Sequence, residues 1–259
     1  MASLPDIVIE ECVPGLDTSV WRRVVHKVYA YHVMKNSPID QGVPMLRPRM
    51  LGLNTLRRRL DIVHTLDSGM FENLFTRSVE THGDVFLQAS EAERQAEMSR
   101  VVGRRKHIAN GTVSLENLVE CLAPGTACRL EGYQMLGQQG RKLTLPCLIA
   151  NAGQDFSERE SLNCFVPTLL RESVLVCIRS KLHGIQDGSK SVLYLGNEHM
   201  AAMGWPVYQN NVVNVLRDVL PGLSDPCKRS VAGNGLCVSQ LGYMIYFALG
   251  STKRVRDGH

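Results

Sequence analysis

The chain has no Cys-x-x-Cys pair, and none of its eight histidines stands at zinc-ligand spacing from a cysteine, so the compact zinc modules are excluded and no metal ligands are assigned. The eight cysteines, at 12, 121, 128, 147, 164, 177, 227 and 237, are scattered and read as reduced, mostly buried thiols. No apolar run approaches the roughly 20 residues that cross a bilayer. The first residues also lack a basic segment followed by an apolar core and cleavage site, so the expectation is an intracellular chain, nuclear if eukaryotic, with no membrane partner. A Walker loop, a nucleotide-binding glycine fingerprint and a Ser-His-Asp arrangement are all absent, which removes support for three large enzyme classes. There is no internal repeat and no low-complexity tract.

What is present is enough for one large or two modest domains: 259 residues, 44% hydrophobic and 21% charged. A net charge of +4 permits a nucleic-acid partner without requiring one.

The most informative stretch is Gly42-Val43-Pro44-Met45-Leu46-Arg47-Pro48-Arg49-Met50. Two prolines fix φ and remove backbone donors, which disfavours a helix and puts Arg47 and Arg49 on one side of an extended chain. Two rigid guanidiniums on one side make a clamp for an anion or a base edge. Upstream, Asp6-Ile7-Val8-Ile9-Glu10-Glu11 reads as a short buried strand ending in acids, closed by Pro14-Gly15. Downstream stand Glu198-His199-Met200-Ala201-Ala202-Met203-Gly204-Trp205-Pro206 and, later, Gly233-Asn234-Gly235.

These stretches, in this order, resemble the second half of the cytosine C5 DNA methyltransferases. That family has a Glu-Asn-Val strand end, a Gly-Val-Pro-Gln-x-Arg-x-Arg loop, a variable target-recognition region, a Glu followed by Gln-Gly-Phe-Pro, and a Gly-Asn pair opening the last helix. The resemblance implies an α/β fold: an incomplete doubly wound, Rossmann-like methyltransferase sheet with an inserted mixed helical and β target-recognition region. It assigns residues 1–60 and 190–259 to the catalytic domain and 61–189 to target recognition. It makes Glu11 the acid that contacts the cytosine ring, and Arg47 and Arg49 the groups that hold the ring oxygen and a neighbouring phosphate. Thr168 and Leu169, in Val166-Pro167-Thr168-Leu169-Leu170, would lie near the DNA backbone. Gly233, Asn234 and Gly235 would border the methyl donor, S-adenosylmethionine.

The departures carry information too. Cys12 replaces Asn, and Met45 and Met203 replace Gln, at positions where the family has hydrogen-bonding side chains. Only nine residues precede Glu10, too few for the family's Phe-x-Gly-x-Gly donor turn or its Pro-Cys-Gln nucleophile loop. Pro146-Cys147 follows the arginine clamp, out of order, and Cys147 reads as a buried strand cysteine. The expectation is a truncated chain, inactive alone, whose partners are DNA and either a separate N-terminal half or a second copy meeting an exposed sheet edge. The alternative is a non-enzymatic DNA-binding or interaction module derived from such an enzyme.

Local patterns predict the elements. Val20, Val24, Val28 and Tyr31 suggest a helix from 17 or 18 to about 34, and Met50-Leu53 a strand. Residues 70–79, 89–101 and 115–122 read as helices, with Pro124-Gly125 as a break. Strands are expected at 143–149, 174–178 and 192–195, and helices at 198–203 and 212–220. The last helix is placed at 236–249, opened by Gly233-Asn234-Gly235, with Lys253-Arg254-Val255-Arg256 as a frayed tail.

Overall fold

The computed structural model describes residues 4–17, 19–63, 68–104, 122–138, 146–154, 163–179, 191–208 and 214–255. It is a mixed α/β structure of small sheets and helices, the fold class expected. Two compact units are formed, one from residues 1–80 with 236–259 and the other from 81–235; the sequence reading places its divisions at 60 and 190. Among the described residues no helix is long and apolar enough to cross a membrane.

The first unit is built on an antiparallel sheet in which β3 (Arg49–Leu56) lies between β1 (Ile7–Cys12) and β2 (Tyr29–Asn36). Strand side chains alternate between faces, so Leu51 and Leu53 share one face with their partners Glu11 and Ile9 on β1 and Met34 and His32 on β2. That face is covered by α2 (Ser68–Phe75) and α8 (Val238–Ser251), through Phe71, Met244, Phe247 and Ala248. The rings of Phe71 and Phe247 meet edge-on with centroids 5.2 Å apart.

Two segments differ from expectation. The helix expected through residue 34 ends early: α1 covers only Ser19–Val25, and Tyr29–Asn36 is a strand paired along its whole length with β3. Two of the valines that suggested helical spacing, Val24 and Val28, do not face a core but are exposed. An aromatic and β-branched segment gains more from cross-strand pairing than from extending a short helix. The expected frayed tail is also structured. Thr252–Arg254 forms β8 and pairs antiparallel with β4 (Leu60–Ile62).

The second unit has a separate antiparallel sheet, β5 (Cys147–Asn151), β6 (Leu175–Arg179) and β7 (Ser191–Leu193), in that order. Met98 of α3 (Glu91–Arg104) and Leu130 and Tyr133 of α4 (Pro124–Gln138) pack on Leu148, Ala150, Val176 and Ile178. Cys147 is buried in its strand, as expected. Pro124-Gly125 does not break the chain but starts α4, because proline lacks only an N–H that a first helical turn leaves unpaired anyway. The helix expected at 115–122 falls on residues 115–121, outside those described.

The unit is completed by α5 (Gly196–Ala202), α6 (Asn214–Val219) and α7 (Asp225–Asn234). Gly233 and Asn234 therefore end α7 instead of opening the last helix, which starts at Val238. Ser224 caps α7 by accepting from the Cys227 amide, and an Asp-Pro pair in the first turn makes this the favoured start.

His199 of α5 is fully buried, with Nδ1 at 3.0 Å from the Leu195 carbonyl. Burial, and secondarily the charge of Arg229, pushes its pKa down from 6.5 to about 4, against the opposing backbone hydrogen bonds. The folded ring is thus neutral where the unfolded ring takes up a proton. Stability that is full above pH 6.5 is lost as pH falls toward 4, by about 3 kcal/mol at roughly 1.4 kcal/mol per pKa unit. Urea unfolding of this unit at pH 7 and pH 4 is expected to show that loss, and His199→Gln is expected to flatten it.

Candidate functional site

In the first unit the register of β1 on β3 pairs Glu11 with Leu51, and Arg49 lies two residues before Leu51 on the same face. Arg49 Nε is 2.8 Å from Glu11 Oε1, and Arg47 Nη2 is 3.9 Å from that same oxygen. Both guanidiniums are buried, and 13% of the Glu11 side chain is exposed. Burial first, and the like charge of Arg49 second, hold the Arg47 guanidinium below its usual pKa, while Glu11 pulls it back up. The three residues assigned to base contact therefore form one cluster, although 36 positions separate Glu11 from Arg47.

The neighbouring acid has a different place. Glu10 points to the opposite face, directly across from Gly52. A Cβ on Gly52 would lie 2.3 Å from Glu10 Oε1, so the glycine leaves room for the carboxylate to cross β3. Burial raises the Glu10 pKa, and a hydrogen bond from Tyr31 opposes the shift.

The loop that carries the arginines is fastened at both ends. Ser37 and Asp40 cap the short turn Pro38–Asp40, with the Ser37 amide donating to Asp40 Oδ2 at 2.8 Å. Ser37 Oγ then accepts from the Arg47 amide at 3.0 Å. From α8, buried Gln240 donates through Nε2 to the Asn36 carbonyl at 3.1 Å and the Arg47 carbonyl at 3.2 Å. Gln41 Nε2 donates to Asn36 Oδ1 at 2.8 Å. Gly42 turns with φ +81°, and the Asp40 carbonyl accepts from the Arg77 amide. Arg47 thus has both its backbone amide and its carbonyl held.

Sequence reasoning missed Asn36, Ser37, Gln41 and Gln240. The Ser37-x-x-Asp40 spacing was a usable capping signal, whereas nothing local marks Gln240. Met45, at the position where the resembled family has Gln, is fully buried and packs instead of donating. A small cavity of about 40 Å³ lies beside the clamp, lined by Ile9, Glu11, Leu51, Cys237 and Gln240 among others. It has room for water but not for a base.

The remaining assigned residues lie in the second unit. Leu169 is fully buried and Thr168 is half-buried. Gly233 packs against the same segment: a Cβ there would lie 2.3 Å from the Leu170 carbonyl carbon. A Cβ on Gly235 would lie 2.8 Å from the Val231 carbonyl oxygen, and Asn234 is exposed. Both glycines give their open side to the protein itself. They do not leave a cradle for S-adenosylmethionine.

Glu198 is wholly buried and accepts from the Ala89 amide at 2.9 Å, the Leu195 amide at 2.8 Å and both terminal nitrogens of Arg94. Burial raises its pKa against these bonds. Its place is structural.

No family model and no curated protein matches the sequence. Solved structures are. A Dnmt2 methyltransferase of S. pombe aligns with 96% of this chain and 66% of its own length, at 13% identity and a TM-score of 0.50. The Entamoeba histolytica methyltransferase EhMeth aligns with 95% of this chain and 63% of its own, at 11% identity and a TM-score of 0.45. A mutant DNMT2 of Spodoptera frugiperda aligns with 94% of this chain and 66% of its own, at 14% identity and a TM-score of 0.41. The chain spans just under two thirds of the length of each. At 13% identity the likeness to the S. pombe protein is one of fold, the Rossmann-like methyltransferase fold.

Proposed function

We propose that this chain is the base-binding part of a cytosine C5 methyltransferase that takes its methyl group from S-adenosylmethionine and acts on DNA. The observation that carries the reading is the convergence of Arg47 and Arg49 on Glu11 Oε1. C5 methylation adds a thiolate at C6 of the ring, which pushes negative charge toward N3 and O2. Groups already placed where that charge develops lower the barrier without reorganising. With both arginine contacts on Oε1, Glu11 keeps Oε2 for the ring edge, where it would accept from the exocyclic amine and share a proton with N3 as charge develops there. Arg47 and Arg49 are set to hold O2 and the adjoining phosphate, and the base reaches them only when flipped from the duplex.

The sequence holds neither Pro-Cys-Gln nor Phe-x-Gly-x-Gly. In this reading the thiol and the donor-binding loop come from a further polypeptide segment, and this chain alone is inactive. The test is to supply an N-terminal half carrying both motifs and measure transfer of labelled methyl to cytosine in duplex DNA. Glu11→Gln and Arg49→Gln are each expected to slow transfer by about 100-fold or more. Transfer at the unaltered rate by Glu11→Gln would sink the clamp reading.

A second reading is a non-enzymatic DNA-binding module. The burial of Met45 and Met203 favours it, since both stand where the resembled family has a hydrogen-bonding Gln. Calorimetry separates the two: duplex binding with no donor binding, even with the added half present, supports the module.

A further inference from the structure

We propose that a basic surface of the first unit, reached at the other end of β3 from the clamp, binds the phosphate backbone of a nucleic acid. Three separate segments build it. Arg57, Arg58 and Arg59 form the turn after β3, Arg22, Arg23 and Lys27 lie on α1 and the residues after it, and Lys253 and Arg254 lie on β8. All eight side chains are exposed.

The backbone brings the segments together. The Arg57 amide donates to the Val28 carbonyl at 3.1 Å, and its Nε donates to the carbonyls of Tyr29 at 3.1 Å and His26 at 3.3 Å. Arg254 pairs with Leu60 across β8 and β4, and the Val255 amide donates to the Arg59 carbonyl at 2.9 Å.

Charge is concentrated there well beyond the average of the chain. Asp6, 3.0 Å from Arg59, Asp61, opposite Lys253, and Glu10, which takes a hydrogen bond from the Tyr31 side chain that Arg22 covers, are carboxylates beside these cations. Eight cations less three carboxylates leave +5, against +4 for all 259 residues, so the rest of the chain is net negative. Some of the eight have structural work: Arg57 holds backbone carbonyls, Arg59 pairs with Asp6, and Arg22 lies over the Tyr31 ring at 5.2 Å. The side chains of Lys27, Arg58, Lys253 and Arg254 make no ion pair or hydrogen bond among the described residues. Holding like charges together without such partners costs energy, and a polyanion offsets it.

The placement favours nucleic acid over other polyanions, a choice that rests on the proposed function. Strand β3 begins at Arg49 of the clamp and ends one residue before Arg57, so eight steps of about 3.3 Å separate them by about 25 Å. That is less than one turn of duplex, about 34 Å. One nucleic acid can therefore put a base at the clamp and phosphates at the basic end.

The experiment measures binding of the full chain to a short fluorescent duplex between about 50 and 200 mM salt. Replacing Lys27, Arg58, Lys253 and Arg254 together by Ala is expected to reduce the slope of log K against log salt by about 3 to 4, near 0.9 per lost phosphate contact. Affinity at the lowest salt should fall at least tenfold, with circular dichroism confirming an unchanged fold. An unchanged slope in the quadruple variant overturns the proposal, as does tighter binding of the chain to phosphatidylserine vesicles than to duplex. Failure of the clamp is seen separately, as methyl transfer indifferent to Glu11→Gln while the quadruple variant still loses salt-dependent binding.

Discussion

Glu198→Ala is expected to destabilise the second unit by about 3 to 5 kcal/mol, the cost of leaving a buried charge without its partner. The carboxylate accepts from two backbone amides and from Arg94, whose guanidinium is itself buried and also donates to the Leu193 carbonyl. Removing it strands the Arg94 charge and orphans the Ala89 and Leu195 amides at once. Glu198→Gln keeps the shape and one acceptor, so it should cost less. The double replacement Arg94→Met with Glu198→Leu should recover part of the loss, because two apolar groups have no charge to desolvate. Urea unfolding followed by Trp205 fluorescence in a Trp21→Phe background reads this unit. A loss below about 1 kcal/mol for Glu198→Ala would mean that water reaches Arg94 and the ion pair is not structural.

The second large effect is expected at Gln240. Gln240→Leu keeps the volume and removes the amide that bonds the carbonyls of Asn36 and Arg47. Each buried carbonyl left without a donor costs about 1 to 3 kcal/mol, so the first unit should lose roughly 2 to 4 kcal/mol. The loss has a local signature. Hydrogen exchange at the amides of 37–47 should rise, including that of Arg47 on Ser37 Oγ, while the β1–β3 ladder stays protected. If exchange rises equally throughout the unit, Gln240 supports the core and does not hold the clamp loop. With the loop loosened, Arg47 and Arg49 no longer share a fixed position on Glu11, and DNA methylation in the reconstituted assay should fall with the stability of the loop.

The clamp and the Glu198 site lie in different units and answer to different assays. Glu11 and Arg49 are read by methyl transfer, and Glu198 and Arg94 by unfolding. Because the buried Arg94–Glu198 pair keeps its hydrogen bonds within the protein, the methyl transfer proposed above is not expected to depend on it except through folding.

The order of short motifs along the chain was legible because each is local. Pro44 and Pro48 around Arg47 and Arg49 dictate an extended loop, and a spacing of two puts both guanidiniums on one side. The apolar run Ile7-Val8-Ile9 dictates a strand whose end carries acids. The α/β class followed from the family resemblance that those motifs carry. The local pattern did not say which of Glu10 and Glu11 faces the arginines, because register is set by pairing with β3; the resemblance named Glu11, and the register puts it on their face. The reading of 29–34 as helix failed for the same reason: its valine spacing was compatible with a helix, and only the partner strand, 20 positions later, made β2 the better choice.

The tertiary structure alone brought Gln240 to Arg47, 193 positions away, and Arg94 to Glu198, 104 positions away. No local pattern encodes such contacts, since a glutamine or an arginine on a helix has the same neighbours in sequence whether it faces solvent or a buried carbonyl. The glycines at 233 and 235 show the converse. As a motif they suggest a ligand cradle, yet packing gives their open sides to Leu170 and Val231. What the amino-acid sequence determined by itself was the local conformation of the clamp and the chemistry of its side chains. Register, burial and long-range hydrogen bonding, which depend on elements far apart in the chain, decided which of those side chains meet.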